Sequence, residues 1–172
     1  RLQSFQYLKP GDRIEQRWPR LFTLEGREVP LDRALFDNPW SVDGYRWSED
    51  GGTFYFVYNQ RGHQVFRLLA VDAATGTVRT VVEERSPTFV DYPNKTWWYW
   101  LGDRELLWMS ERDGFNHLYL VDVPTGRVAR QVTTGPWMVR EVMQVDPQAR
   151  TVLVRAMGVY PDQDPYHVHW MR

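Results

Sequence analysis

Phe56-Val57-Tyr58-Asn59-Gln60-Arg61-Gly62 reappears, changed in detail but not in character, as Leu107-Trp108-Met109-Ser110-Glu111-Arg112-Asp113. A second phrase, Val71-Asp72-Ala73-Ala74-Thr75-Gly76, reappears as Val121-Asp122-Val123-Pro124-Thr125-Gly126. The two arginines lie 51 positions apart (61 to 112) and the two glycines 50 apart (76 to 126), so the copies stay in register apart from one lost residue. A period near 50 lies in the range of four-stranded propeller blades.

Each copy reads as four short strands. In the first they fall at 44–47, 53–59, 64–72 and 77–82, with turns at Glu49-Asp50-Gly51-Gly52 and Ala73-Ala74-Thr75-Gly76. In the second they fall at 96–100, 105–110, 117–122 and 127–132. Asp-Gly and Thr-Gly mark turns because glycine takes positive φ without a Cβ clash. Alternation of apolar and polar residues is imperfect within these strands, as befits sheets stacked between neighbours and buried on both faces. The flanks read as incomplete copies: strands at 19–24 and 27–31 before the first blade, and at 140–145, 151–156 and 167–172 after the second. The expected fold is therefore all-β, a partial β-propeller of two complete four-stranded blades flanked by incomplete ones. Over 1–172 it divides into an outer hairpin at 18–31, blades at 44–84 and 96–134, and an incomplete blade at 140–172. Closed propellers have about four to eight blades, so the chain is expected to be a fragment of a larger one. The alternative is an all-β sandwich in which two hairpins are alike by chance.

Composition agrees with a folded β domain. Of the 172 residues, 42% are hydrophobic and 15% aromatic, with nine Trp, nine Tyr and eight Phe. Such side chains fit a pleated, half-buried surface. A formal net charge of −1 lacks the basic footprint of a nucleic-acid binder. No apolar run approaches the ~20 residues of a membrane span, and Arg1-Leu2-Gln3-Ser4-Phe5 has no apolar core of a signal peptide. With no cysteine, thiol chemistry and disulfides are excluded.

Four phrases in order carry a more specific likeness: Tyr58-Asn59-Gln60-Arg61-Gly62-His63-Gln64, Asp72-Ala73-Ala74-Thr75-Gly76, Ser110-Glu111-Arg112-Asp113-Gly114-Phe115-Asn116-His117-Leu118-Tyr119 and Gln163-Asp164-Pro165-Tyr166. From Tyr7 to the C-terminus the chain resembles the N-terminal propeller of bacterial dipeptidyl peptidase IV-like enzymes, in the prolyl oligopeptidase family of serine peptidases. The resemblance implies a propeller seated over an α/β-hydrolase domain of the same parent chain. It implies removal of N-terminal dipeptides with proline or alanine second, and a periplasmic or secreted parent. The hydrolase nucleophile needs Gly-x-Ser-x-Gly for its strained turn. None of Ser4, Ser41, Ser48, Ser86 and Ser110 sits in such a run. This segment is therefore expected to be non-catalytic and to gate and position peptide substrates. A stand-alone propeller serving protein interaction is the other reading.

The family holds the substrate's N-terminal ammonium with paired glutamates on a short helix, which lies earlier in its propeller. Glu83-Glu84 ends a strand here, and is read as a solvated strand end. The family also carries an aromatic residue on an inter-blade loop beside its substrate pocket. On the loop 85–94, Tyr92 matches best and Phe89 second; packing between blades is the competing role for both rings. His167-x-His169 places two imidazoles on one strand face without a convincing third ligand, so neither a metal nor any cofactor is expected. Asn116 and His117 are read as binding turn backbone. Arg112 is read as pairing with Glu111 or Asp113, or clamping a carboxylate of another blade, and its duplication as Arg61 points to blade building. Asn94-Lys95-Thr96 is a glycosylation sequon, relevant only in a eukaryotic secretory pathway. The unfinished last blade leaves the strand edge of 167–172 unpaired, and the first complete blade, 44–82, keeps an apolar face that a full preceding blade would cover, so the isolated fragment is expected to self-associate.

Overall fold

The computed structural model describes residues 2–172 and contains thirteen strands in four antiparallel sheets. The first sheet is a hairpin of β1 (Leu21–Phe22) and β2 (Glu28–Val29). The first full blade is β3 (Pro39–Trp47), β4 (Thr53–Gln60), β5 (Val65–Asp72) and β6 (Val78–Arg85). The second is β7 (Trp98–Leu101), β8 (Glu105–Ser110), β9 (His117–Asp122) and β10 (Arg127–Gln131). The last sheet is β11 (Met138–Asp146), β12 (Thr151–Met157) and β13 (Val168–Met171). Each is a meander in which consecutive strands pair. The 2, 4, 4, 3 distribution is the partial propeller that the repeat predicts.

Packing follows from the two-residue period of a strand. On β4, Tyr55 and Val57 face the second blade, while Phe56 and Tyr58 face the first hairpin. On β8, Leu106 and Trp108 return to the first blade, while Met109 faces β11 and β12. The three apolar layers thus lie between sheets, and the middle strands are buried on both sides, as Phe56 at 0% and Val57 at 1% exposure show on β4 and Trp108 at 1% and Met109 at 3% on β8. This explains the blurred alternation in the sequence.

The repeat glycines have a structural reason. Gly76 and Gly126 both take positive φ, +73° and +69°. A Cβ on Gly126 would stand 2.9 Å from the Val81 carbonyl oxygen on β6, and one on Gly76 would collide with the Pro30 carbonyl just beyond β2. In both copies the turn before the outermost strand presses on the outer strand region of the preceding sheet, and only glycine fits there. The preceding aspartate closes the same turn. Asp72 Oδ1 accepts from the Thr75 N–H at 2.8 Å and its hydroxyl at 2.9 Å, and Asp122 Oδ2 accepts from the Thr125 N–H at 3.2 Å. Hydrogen bonds from Thr75 and Thr125 hold both carboxyls below the usual range.

Two boundaries differ from the sequence reading by three residues or more, the others by one or two. β3 begins at Pro39 rather than 44, because Ser41 and Val42 pair with Asn59 and Tyr58. A register shift between Asp43 and Arg46, with Gly44 at φ +61°, bends the strand midway. That bend interrupts the side-chain pattern and made the second half look like the whole strand. β6 runs on to Arg85, three residues past the expected end, because Val65, Phe66 and Arg67 pair with Arg85, Glu84 and Glu83.

Candidate functional site between two blades

The loop of 86–97 leaves β6 and enters β7 over the seam between the two full blades. Its shape is fixed locally. The Ser86 hydroxyl accepts from the Thr88 and Phe89 N–H groups at 3.2 and 3.1 Å. Lys95 N–H donates to the Asp91 carbonyl at 2.8 Å, and the Thr96 hydroxyl to the Tyr92 carbonyl at 2.6 Å, closing one tight turn around Pro93. The β4–β5 turn then holds the loop from the side: Val90 N–H donates to the His63 carbonyl at 2.7 Å and Gln64 Nε2 to the Pro87 carbonyl at 2.8 Å. From the other side Lys95 pairs with Glu111 of the β8–β9 turn at 2.6 Å.

Tyr92 and Phe89 end up in different surroundings. The Tyr92 ring stacks on His63, centroids 4.5 Å apart, and packs against the apolar layer between the blades. Phe89 touches the same imidazole edge-on at 5.6 Å but remains 49% exposed and lines a cleft of 520 Å³. His63 itself is enclosed by Tyr92, Phe89 and Trp40, with Nδ1 3.0 Å from Asn59 Oδ1. Burial first, and then the neighbouring Arg61 cation, push its imidazole below the ordinary value.

The floor of the cleft corrects the reading of Glu83-Glu84. Glu84 is not a solvated strand end; its side chain is only 14% exposed. Its carboxylate leaves β6 for the second blade and accepts from Trp108 Nε1–H at 2.8 Å, the Ser110 hydroxyl at 2.8 Å and Arg112 NH2 at 2.6 Å. Ser110 Oγ in turn accepts from Arg112 Nε at 2.9 Å, and the guanidinium lies over the Tyr119 ring at 4.9 Å. Of the options open to Arg112, the structure selects the clamp on another blade's carboxylate. Charged hydrogen bonds to a carboxylate in such a sheltered place are about twice as strong as neutral ones. Glu83, on the opposite side of the strand, is shared by Arg67 and Arg85 at 2.6 and 3.1 Å. Burial pushes its carboxyl up, but the hydrogen bonds from Arg85 and Arg67 outweigh it and hold it below the usual range.

Sequence reasoning therefore placed Tyr92 and Phe89 on this loop and included the clamp among the options for Arg112, and it missed the part that Glu84, Lys95 and Ser110 play. The one available signal for Glu84 was Arg112 itself, an arginine two positions after Ser110 at the end of an apolar strand, where a carboxylate from another blade could meet it. The other histidines lie elsewhere. His117 is buried, with Nδ1 2.9 Å from Thr133 Oγ1 and Nε2 3.0 Å from the Gly135 carbonyl, and Asn116 donates to the Val139 carbonyl at 2.7 Å. His169 meets the Tyr160 ring edge-on at 4.9 Å. Among the described residues no three His, Cys, Asp or Glu side chains converge on a possible metal position, and no serine hydroxyl is hydrogen-bonded to a histidine. The charged groups of the cleft are held in ion pairs.

Comparison with known proteins follows the same line. The model of the dipeptidyl peptidase IV N-terminal region matches residues 2–170. A Bacteroides ovatus protein assigned as a dipeptidyl aminopeptidase IV shares the fold with a TM-score of 0.53 and 22% identity, over 68% of this chain and 19% of that one. Dipeptidyl peptidase 4 of Porphyromonas gingivalis does so with a TM-score of 0.56 and 22% identity, over 68% of this chain and 16% of that one. The chain spans less than a fifth of the length of either.

Proposed function

The chain belongs to the family of dipeptidyl peptidase IV N-terminal regions, and from that premise we propose that it is the part of the propeller that gates and positions peptide substrates for a separate α/β-hydrolase domain of its parent. The parent is a serine-type dipeptidyl peptidase working in the periplasm or outside the cell, and its nucleophile, base and oxyanion hole lie outside these residues. What supports the positioning role is one observation: an exposed aromatic ring, Phe89, on a loop pinned from both neighbouring blades. A ring on a rigid support binds a peptide side chain with little ordering cost. Placing the peptide in register raises the rate by fixing orientation before the chemistry begins. Tyr92 contributes from beneath, by holding His63 and the loop in place.

The test is steady-state kinetics of the full-length parent on an Xaa-Pro chromogenic dipeptide and on a longer Xaa-Pro peptide. Phe89→Ala is expected to lower kcat/KM on the longer peptide about 3–10-fold, the worth of one aromatic contact, and to leave the melting temperature unchanged. Tyr92→Ala is expected to lower both kinetics and melting temperature. Unchanged kcat/KM in both variants would end the positioning role and leave the loop as a blade spacer.

A further inference from the structure

The repeat contains an internal control for the clamp on Glu84. Asn59 and Arg61 of the first blade hold the positions of Ser110 and Arg112 in the second, 51 residues on. In the second blade every arm of the guanidinium used is met by an inward partner: Nε by Ser110 and NH2 by Glu84. In the first blade neither partner is there. Asn59 Oδ1 has turned to His63. Counting on from the turn glycine Gly26, as Glu84 follows Gly76, gives Ala34, which has no carboxylate. Among the described residues no carboxylate lies within salt-bridge distance of Arg61. Its one side-chain hydrogen bond is a long one, 3.5 Å from NH2 to the Pro39 carbonyl, and its buried Nε has no partner at all.

An arginine left so is unusual, because an unpaired buried donor costs stability. It is nevertheless held in place. The guanidinium lies over the Trp40 indole at 5.1 Å, which fixes its plane and leaves its edge free. That edge borders a cavity of 390 Å³ between β3 and the segment before the first hairpin, lined by Leu8, Ile14 and Trp40 as apolar walls and by Glu15 and Arg17. Glu15 is taken by Arg17 at 3.0 Å. Trp40 also meets His63 edge-on at 5.1 Å, so the cavity continues the aromatic run that ends in Tyr92 and Phe89.

We propose that Arg61 on Trp40 is a carboxylate-binding subsite for a peptide, which supplies from outside the acid that Glu84 supplies to Arg112 from within. The planar fork suits a carboxylate, and the apolar walls suit the carbon chain bearing it. The carboxylate comes from an acidic side chain or from a peptide C-terminus. The proposal stands on the repeat and the cavity, and is independent of the positioning role of Phe89.

The experiment is calorimetric titration of the protein carrying this segment, at low and at moderate salt, with three blocked or free tripeptides: acetyl-Ala-Glu-Ala-amide, acetyl-Ala-Gln-Ala with a free carboxyl end, and acetyl-Ala-Gln-Ala-amide. Binding of the first or second, at least tenfold tighter than the third and weakened by salt, is expected, and which of the two binds identifies the source of the carboxylate. Arg61→Gln is expected to remove the preference, and Arg61→Lys, which keeps the charge and loses the fork, to reduce it severalfold. Arg61→Gln is also expected to melt no lower than the parent, since Arg61 has lost no good partner. Equal affinity for all three peptides, or a preference that survives both substitutions, overturns the proposal. Inorganic phosphate competing as well as the carboxylates would overturn the assignment of the ligand class.

Discussion

Removing the Glu84 carboxylate tests the claim that the two full blades are joined by a buried polar clamp. In Glu84→Ala three donors lose one acceptor. Trp108 is 1% exposed, so its indole N–H cannot turn to water, and leaving it unpaired costs about 1–3 kcal/mol. Ser110 is equally buried but its oxygen still accepts from Arg112 Nε, so only its donor is lost, at about 1 kcal/mol. Arg112, 31% exposed at its side chain, regains water and loses an attraction of about 0–1 kcal/mol. The sum is about 2–5 kcal/mol, and with about 2–4 °C per kcal/mol for a chain of this size the melting temperature falls by about 4–20 °C. Glu84→Gln keeps an acceptor for two of the donors and is expected to cost about half as much. Urea unfolding followed by tryptophan fluorescence gives the free energies, and the double variant with Arg112→Met separates the ion pair from the rest. A Glu84→Ala protein within about 0.5 kcal/mol of the parent, the range of an ordinary surface change, would refute the clamp and restore the solvated strand end.

Gly126→Ala, whose Cβ would meet the Val81 carbonyl at 2.9 Å, is expected to destabilise the protein far more than Gly51→Ala, which has the same sign of φ but open space around it; thermal melts of the pair compare them directly. The folded-state pKa values of Asp72 and Asp122 are lowered, so their contribution is complete above about pH 4, the unfolded value, and is lost as pH falls through the folded ones. Asp72→Asn with Asp122→Asn should therefore narrow the stability gap to the parent on going from pH 6 to pH 3, and a constant gap would show that the turns owe nothing to the charge. Tyr58 and Tyr119 are raised to about 12, mainly by burial, so a spectrophotometric titration should find two tyrosines ionising well after the rest, with stability lost as pH climbs from about 10 through those values. The 172-residue chain alone is expected to turn over no Xaa-Pro chromogenic dipeptide, and turnover blocked by a serine-directed phosphonate would reveal a nucleophile within it.

How far the sequence could be read depended on whether the deciding neighbour was local. β8 and β9 coincide with the expected 105–110 and 117–122, because apolar run, turn and repeat all speak for them within twenty residues. Gly76 and Gly126 were legible as turn residues, but not as the points where one sheet presses on the last, since Pro30 and Val81 are about 45 residues away in the chain. Glu84 failed for the same reason: beside Glu83 and Arg85 it looks like a charged strand end, and only Trp108, Ser110 and Arg112 make it interior. Tyr92 and Phe89 could be placed on the loop from sequence, but which ring faces inward is set by His63, whose own position depends on a turn with φ +57°.

The clamp on Glu84 has a mechanical side. The blades also meet at the opposite rim, where Arg46 reaches Asp103 at 2.7 Å, Arg79 reaches the Val123 carbonyl at 3.1 Å and Gly126 rests on β6. Val81 and Glu84 are three residues apart on one strand, which sets the two fastenings about 10 Å apart along it. Two bolts along a seam stop one plate from rocking on the other as a single bolt would not. The gap above Glu84 therefore keeps a fixed width, and any breathing there is left to the loop of 86–97. A mutation that slackens either bolt turns the seam into a hinge, and its first symptom would be a gap of varying width beside Phe89, well before the sheets themselves come apart.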